Sequence, residues 1–368
     1  MHFRLATFNV ENLFERPKVM NLSSWSAGQE TLNDYNALNS LLNNETYSEE
    51  DKKRMLVLLE KHGLLSTRPN DTYLDLVKIR GQLFKLKRGQ PPEIVAKGRS
   101  DWVGWVELKK DAINDEAIKN TARVICEVNP DIIVLVEVED RWALQHFHDQ
   151  VLAPMMESSG HEKYAFNMVI DGNDSRGIDV GILSRYPIAS MRSHITDKAN
   201  DRTIFSRDCP EYSIKLQDGI EILVLPNHFA SKGSDLKGKR RLIQSARVKE
   251  IYGDLKKSHA NIVVAGDLND YPGGGSLDEL LKGTDLKDAM SLPAYQGLPG
   301  TYEHANENQK LDYLLLSPAL SSGVADVNVE RSGFYAPKKW KSFDNINKET
   351  KDRNQASDHH CLWADIEL

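Results

Sequence analysis

Asp131-Ile132-Ile133-Val134-Leu135-Val136-Glu137 is an unbroken apolar run that ends in a carboxylate. Continuous rather than alternating apolar residues are the pattern of a strand covered on both faces. A carboxylate at the end of such a strand is costly to bury unless it is paired or holds a cation, so Glu137 reads as a functional residue at a strand terminus. The helix that leads into this strand is legible too. Ile118, Ala122, Ile125 and Val128 share one helical face, Asn114 is a candidate cap, and Pro130 follows the end.

Outward from Glu137 the same form recurs. Phe8-Asn9-Val10-Glu11-Asn12, Asn227-His228-Phe229, Gly266-Asp267-Leu268-Asn269-Asp270, Leu311-Asp312-Tyr313 and Ser357-Asp358-His359 each sit at the end of an apolar stretch. Strands are expected at 3–9, 131–136, 164–170, 178–183, 220–225, 261–265, 311–316 and 361–366, and helices at 141–156 and 239–256. Many strands with few helices between them argue against a βαβ repeat. Two sheets packed face to face, with helices outside, fit better. Strands that end in carboxylates, amides and imidazoles would deliver them to one shared rim.

That rim suits a divalent metal and a phosphate. Mg²⁺ takes oxygen ligands and keeps several waters, so one or two carboxylates plus substrate oxygens suffice, and Glu137 is the best single candidate. Asp267 and Asn269 alternate along an extended segment and point to the same side, where they could activate and orient a water. His359 is a candidate general base and Asp312 a candidate for orienting it. His360 would point the opposite way. His228, with Asn227 and Lys232 beside it, is a candidate donor to a phosphate, and His146 and His148 face different sides of a helix and make no metal pair.

Composition narrows the class. The 368 residues, 40% hydrophobic and 27% charged, are those of a soluble globular protein, and no apolar stretch approaches the ~20 residues of a membrane span. Cys126, Cys209 and Cys361 are far apart and odd in number, which suits free thiols in a reducing compartment. Met1-His2-Phe3-Arg4 leads straight into a strand-like run, so the cytoplasm is expected, or the exterior if a leader has been removed. The net charge of −7 conceals segregation. Between Lys52 and Lys110 there are fourteen Lys/Arg against six Asp/Glu, and between Lys232 and Lys257 nine against three. Basic segments flanking an acidic pocket suit a phosphodiester substrate. Residues 15–110 break the strand pattern and read as a helical basic insertion, with helices at 49–62 and 73–87. Trp102 and Trp105 would anchor it to its host or stack on bases.

In their order, these motifs resemble the endonuclease/exonuclease/phosphatase superfamily, the fold of DNase I and the abasic-site endonucleases. The resemblance covers 1–12 and about 113–368. Asn227-His228-Phe229-Ala230-Ser231-Lys232, Gly266-Asp267-Leu268-Asn269-Asp270-Tyr271-Pro272 and Arg176-Gly177-Ile178-Asp179-Val180 are most similar to the bacterial nuclease branch that includes extracellular DNases. The resemblance implies an α/β fold, a four-layer sandwich of two mixed sheets flanked by helices, forming one domain over 1–368 that carries the insertion. It also implies phosphoester cleavage dependent on Mg²⁺ or Mn²⁺. Asn9, Glu11, Glu137 and Asp358 would sit at the metal. Asp267 with Asn269 would handle the water or leaving group, and His359 held by Asp312 would polarise the phosphate or act as base. His228 would stabilise the transition state, and Arg176 would contact a phosphate oxygen. Val136 stands where many relatives carry Gln, and Glu11 where some carry Asp. A nuclease acting on nucleic acid as a monomer, without membrane or protein partner, is the leading expectation. A phosphatase or phosphodiesterase of small molecules or lipid head groups and a catalytically silent binding module are the alternatives.

Overall fold

Two six-stranded sheets built on one plan organise the larger of the chain's two compact units, Met1–Phe14 with Ile113–Leu368. The computed structural model describes residues 1–13, 19, 25–66, 71–87, 89–109, 116–174 and 177–368. In the first sheet the order is Val324–Glu330, Cys361–Glu367, His2–Leu13, Ile132–Val138, Asp179–Ser184, Phe166–Val169. In the second it is Lys287–Asp288, Asp312–Leu316, Ile262–Asp267, Glu221–His228, Glu211–Lys215, Ile188–Arg192. Each sheet is antiparallel except for its two central strands, which run parallel: His2–Leu13 beside Ile132–Val138, and Glu221–His228 beside Ile262–Asp267. A parallel pair brings two carboxyl ends to the same edge. Asn9, Glu11, Glu137, His228 and Asp267 all lie at or near those ends, and Asp312 and Asp358-His359 begin strands antiparallel to them.

Packing follows the four-layer expectation. Phe3, Leu5, Ile132, Val134 and Val136 of one sheet meet Tyr212, Ile222, Val224, Val263 and Leu314 of the other in a buried inter-sheet core. The outer face of the first sheet, through Ala6, Ile133 and Leu135, packs on Ala122, Ile125 and Val128 of the helix Glu116–Val128 and on Leu144 and Phe147. The outer face of the second, through Leu223, Val264 and Leu315, packs on Val248, Ile251 and Tyr252 of the helix Lys239–Leu255. Inner and outer faces alternate along each strand, as the two-residue period requires. The expected cap Asn114 lies outside the described residues.

The helix expected at 141–156 is interrupted. Arg141–Phe147 and Ala153–Ser158 are joined by a π-turn, His148–Leu152. Pro154 has no N–H to donate to the preceding turn, so the regular ladder cannot run through it. No helix among the described residues is long and apolar enough to cross a membrane.

The second unit, Glu15–Ala112, has its own core and is not the helical insertion that the sequence suggested. It holds the helices Trp25–Leu42 and Glu49–Lys61, the latter closed by a capping box between Ser48 and Asp51. The expected helix at 73–87 is instead the strand Leu74–Arg80, paired with Val103–Leu108, followed by the short strand Phe84–Lys85. Leu74 and Leu76 alternate inward, and Gly81, at φ +79° and with Asp101 O where a Cβ would stand, turns the chain as no helical residue can. Trp102 is fully buried within this unit's own core, against Gly104, where a Cβ would collide with the indole. It therefore anchors the unit to itself, and Trp105 is partly exposed.

Candidate active site

At the rim of the two sheets a cleft of about 430 Å³ is lined by Glu11, Glu137, Asp267 and Asp358, by the imidazoles of His228 and His359, by Arg207 and Lys232, and by Asn269 and Tyr302. Three of these residues hold left-handed backbone conformations: Glu11 at φ +48°, Glu137 at +67° and Asn269 at +53°. The first two sit at breaks in strand register, between Asn9 and Leu13 and between Val136 and Val138. A bulge takes one residue out of the ladder and re-aims its side chain, here turning a glutamate out of a buried strand and into the cleft. Such strain, about 1–3 kcal/mol per residue, persists only where surrounding structure enforces it.

Asp267 is the centre of the polar network. Its Oδ1 accepts the Asn269 backbone N–H at 2.8 Å, and its Oδ2 accepts the Asn269 side-chain amide at 3.1 Å and that of Asn9 at 3.2 Å. The Asn269 amide also donates to Phe229 O at 3.1 Å. Burial above all, with Asp312 and Glu137 adding and His359 opposing, pushes the Asp267 carboxyl up to about 7. His359 Nδ1 lies 2.8 Å from Asp312 Oδ2, which also accepts the Thr301 hydroxyl at 2.7 Å. Asp312 is an acceptor, so the proton sits on Nδ1 and Nε2 faces the cleft, 3.9 Å from both Asp267 and Asp358. Burial pulls this imidazole down, but Asp312, Asp267 and Asp358 outweigh it and raise its pKa to about 10. Across the cleft, His228 Nε2 stands 3.6 Å from Asp267 and 3.8 Å from Glu137.

The carboxylates crowd one another. Burial first, then Asp358 and Glu137, pushes Glu11 up, and burial first, with Asp312 adding, pushes Asp358 up. Among the described residues no lysine or arginine pairs with Glu11, Glu137 or Asp358. Hard oxygen donors that no lysine or arginine neutralises suit a divalent cation. No three acidic, imidazole or thiol groups among the described residues are placed to hold a metal ion by themselves.

Most of the residues singled out in the sequence meet here, with two corrections. Asn9 lies behind the cleft wall. Its Oδ1 is taken up by the Glu11 N–H at 3.0 Å and its amide faces Asp267 and His359, so it ties the Glu11 loop to Asp267 from behind rather than lining the cleft. Asn227 is fully buried and turned from the cleft, its amide donating to Leu225 O at 3.0 Å, because alternation that aims His228 at the rim aims its neighbour inward. Lys232 is at the cleft, 3.5 Å from Asp270 and over the Tyr271 ring. Arg176 lies outside the described residues. His360 faces away and receives no cleft contact; its Nε2 meets Glu303 O at 2.9 Å and burial drives its pKa down to about 3.

Other members carried no motif. Arg207 is buried at the cleft with its guanidinium donating to Asp174, Ser206 and Phe229 O. Thr301 locks Asp312, and Tyr302 packs edge-on against His359, ring centroids 4.9 Å apart, and hydrogen-bonds Asp358. Each sits in a loop with no periodicity to mark it.

Known proteins share this architecture. A family model described as the Endonuclease/Exonuclease/phosphatase family matches residues 108–359. No curated protein sequence matches. The fold resembles an endonuclease/exonuclease/phosphatase family protein from Bacteroides thetaiotaomicron over 100% of this chain and 99% of that one, at 13% identity and a TM-score of 0.54. It also resembles the mannosyl-6-phosphatase Bt3783 of the same organism over 69% of this chain and 91% of that one, at 18% identity and a TM-score of 0.51. With a family model spanning most of its length, this chain belongs to the endonuclease/exonuclease/phosphatase family.

Proposed function

We propose that the protein is a Mg²⁺- or Mn²⁺-dependent phosphodiesterase acting on nucleic acid by in-line attack of water. The observation that carries this reading is the pairing of unlike groups around Asp267: a carboxyl of raised pKa, fixed by Asn9 and Asn269, faces a carboxylate-held His359 and the cluster Glu11, Glu137 and Asp358. Glu137 with Glu11 and Asp358 would hold a divalent cation, which would supply charge neutralisation at a phosphate oxygen. Asp267, poised near neutral, accepts the proton of the attacking water, and Asn269 orients that water. His359, kept protonated by Asp312, donates to a non-bridging phosphate oxygen, and His228 reaches the same phosphate from the opposite wall. Arg207 and Lys232 add positive charge at the cleft. A polyanionic substrate is favoured because Lys232 of the cleft wall is followed in the chain by the exposed cations Lys237, Lys239 and Arg240.

A second reading, a phosphatase of small phosphoesters, draws on the fold shared with a mannosyl-6-phosphatase. The two separate on substrate panels: labelled single-stranded DNA, duplex DNA, RNA and sugar phosphates, each with Mg²⁺, Mn²⁺ or EDTA, and each repeated with His359→Ala. Metal-dependent polymer cleavage that is lost in the variant is the expected result. Release of phosphate from monoesters with no polymer cleavage would replace the nuclease reading by the second one.

A further inference from the structure

The basic segment from Lys232 to Lys257 is not uniformly available to a partner. Along the helix Lys239–Leu255 and just beyond it the cations are already committed: Arg247 to Asp197 at 2.8 Å, Lys249 to Glu279 at 2.7 Å, Lys256 to Asp285 at 3.2 Å and Lys257 to Asp254 at 2.7 Å. Arg241 is buried against Asp235 and Asp270 and donates to Ala230 O. Lys232, at the cleft, faces Asp270. What remains is a cluster at the end nearest the cleft, Lys237, Lys239 and Arg240, all exposed and with no ion pair among the described residues. Asp235, the acid closest in sequence, is occupied by the backbone N–H groups of Arg240 and Arg241.

Large apolar side chains share this surface. Leu236 is 88% exposed, and Leu242 and Ile243 are each more than 40% exposed. Single exposed aliphatics are ordinary, but three within eight residues, in the same segment as Lys237, Lys239 and Arg240 and a few positions beyond Ser231 and Lys232 of the cleft wall, are not. The backbone beneath is braced: Ser231 O accepts the N–H groups of Ser234 and Asp235, and Gln244 and Arg241 clamp Ala230 from the helix. A firm, cationic and apolar lip at the mouth of a phosphoester-cleaving cleft is complementary to a chain of phosphates joined by sugars and bases, and has no use for a single small phosphate.

We propose that residues 236–243 are the wall over which a polynucleotide leaves the cleft. Lys237, Lys239 and Arg240 contact phosphates flanking the scissile one, and Leu236 packs against the adjoining nucleotide. The inference rests on the nuclease reading and assigns its substrate as a polymer that extends past the reacting phosphate. The test compares the parent with a combined Lys237→Ala, Lys239→Ala, Arg240→Ala variant and with Leu236→Ala, all checked by thermal melting, on a DNA oligonucleotide across a salt series and on bis(p-nitrophenyl) phosphate, which is too short to reach the lip. The combined variant is expected to raise KM for DNA about tenfold or more at physiological salt. Its log KM against log salt slope should fall by roughly 3, about one for each cation removed. Hydrolysis of the small diester should be unchanged. Leu236→Ala should raise KM several-fold with no change in slope, since it releases no counterions. Parent-like KM and slope in the combined variant would overturn the lip while leaving the nuclease reading intact. Small-diester hydrolysis with no polynucleotide cleavage by the parent would overturn the nuclease reading and the lip with it.

Discussion

Glu137 shows at the scale of one residue how function opposes stability. Its backbone is left-handed, its carboxylate faces Glu11 and Asp358, and no lysine or arginine among the described residues offsets it. Glu137→Gln is therefore expected to lower turnover by about a hundredfold or more while raising the metal-free thermal midpoint, a gain of about 0.5–1 kcal/mol. Turnover near the parent's in a folded Glu137→Gln protein would remove Glu137 from the site. His359→Ala should also lose at least two orders of magnitude, since both a donor to phosphate and the partner of Asp312 are deleted. Asp179 supplies a test in pH. Burial foremost, with Asp171 and Asp174 adding, pushes it up to about 7 although Gly172 N–H donates to it at 2.8 Å. The folded state thus holds a proton that the unfolded chain, titrating near 4, has already released. Its contribution to stability is complete below pH 4 and declines as pH rises to 7. Asp179→Asn should gain about 1 kcal/mol over the parent above pH 7, after discounting for solvent screening, and lose that advantage near pH 4, as urea titrations at the two pH values would show. An advantage that did not change with pH would point to packing instead.

At the scale of elements, the unit Glu15–Ala112 gives the sharpest expectation. Trp102→Ala removes the largest fully buried side chain of its core, at a cost of about 3–5 kcal/mol. Limited proteolysis should then cut within 71–109 well before it cuts the two sheets. The same unit shows where sequence reading fails. Val77 and Ile79 are β-branched and Leu74 and Leu76 alternate, but apolar residues spaced through 73–87 also satisfy a helical period, and only the partner strand Val103–Leu108 decides between them. The central strands were legible because their apolar runs are continuous, the mark of burial on both faces. The edge strands Ile188–Arg192 and Val324–Glu330 were not, since most of their residues are exposed or only half-buried. In the site, Glu137, Asp267, His228 and His359 announce themselves by ending or opening apolar runs. Arg207, Thr301 and Tyr302 come from loops whose path is set by tertiary contacts, and the left-handed turns at Glu11 and Glu137 leave no trace in composition.

The proposed Mg²⁺ gives a test at the scale of the whole molecule. Raising Mg²⁺ from zero to ten times its dissociation constant should stabilise the fold by about 1.4 kcal/mol, through binding to the native state alone. Glu137→Gln should abolish the rise in thermal midpoint, and an equal rise in parent and variant would place the ion elsewhere. Replacing 15–112 by a short flexible linker should change substrate choice more than chemistry, so hydrolysis of bis(p-nitrophenyl) phosphate should survive; a folded deletion inactive on every substrate would contradict this. One feature of the first sheet reaches further. His2–Leu13 is hydrogen-bonded to Cys361–Glu367, and the Ser357 hydroxyl donates to Asn9 O across 348 positions of chain. The cleft is thus closed by a seam between its earliest and latest parts. Asn9 and Glu11 on one side and Asp358 and His359 on the other are therefore brought together only when two segments far apart in the chain pair. A polypeptide cut anywhere between those two segments keeps the cleft only as long as the seam itself holds the pieces together.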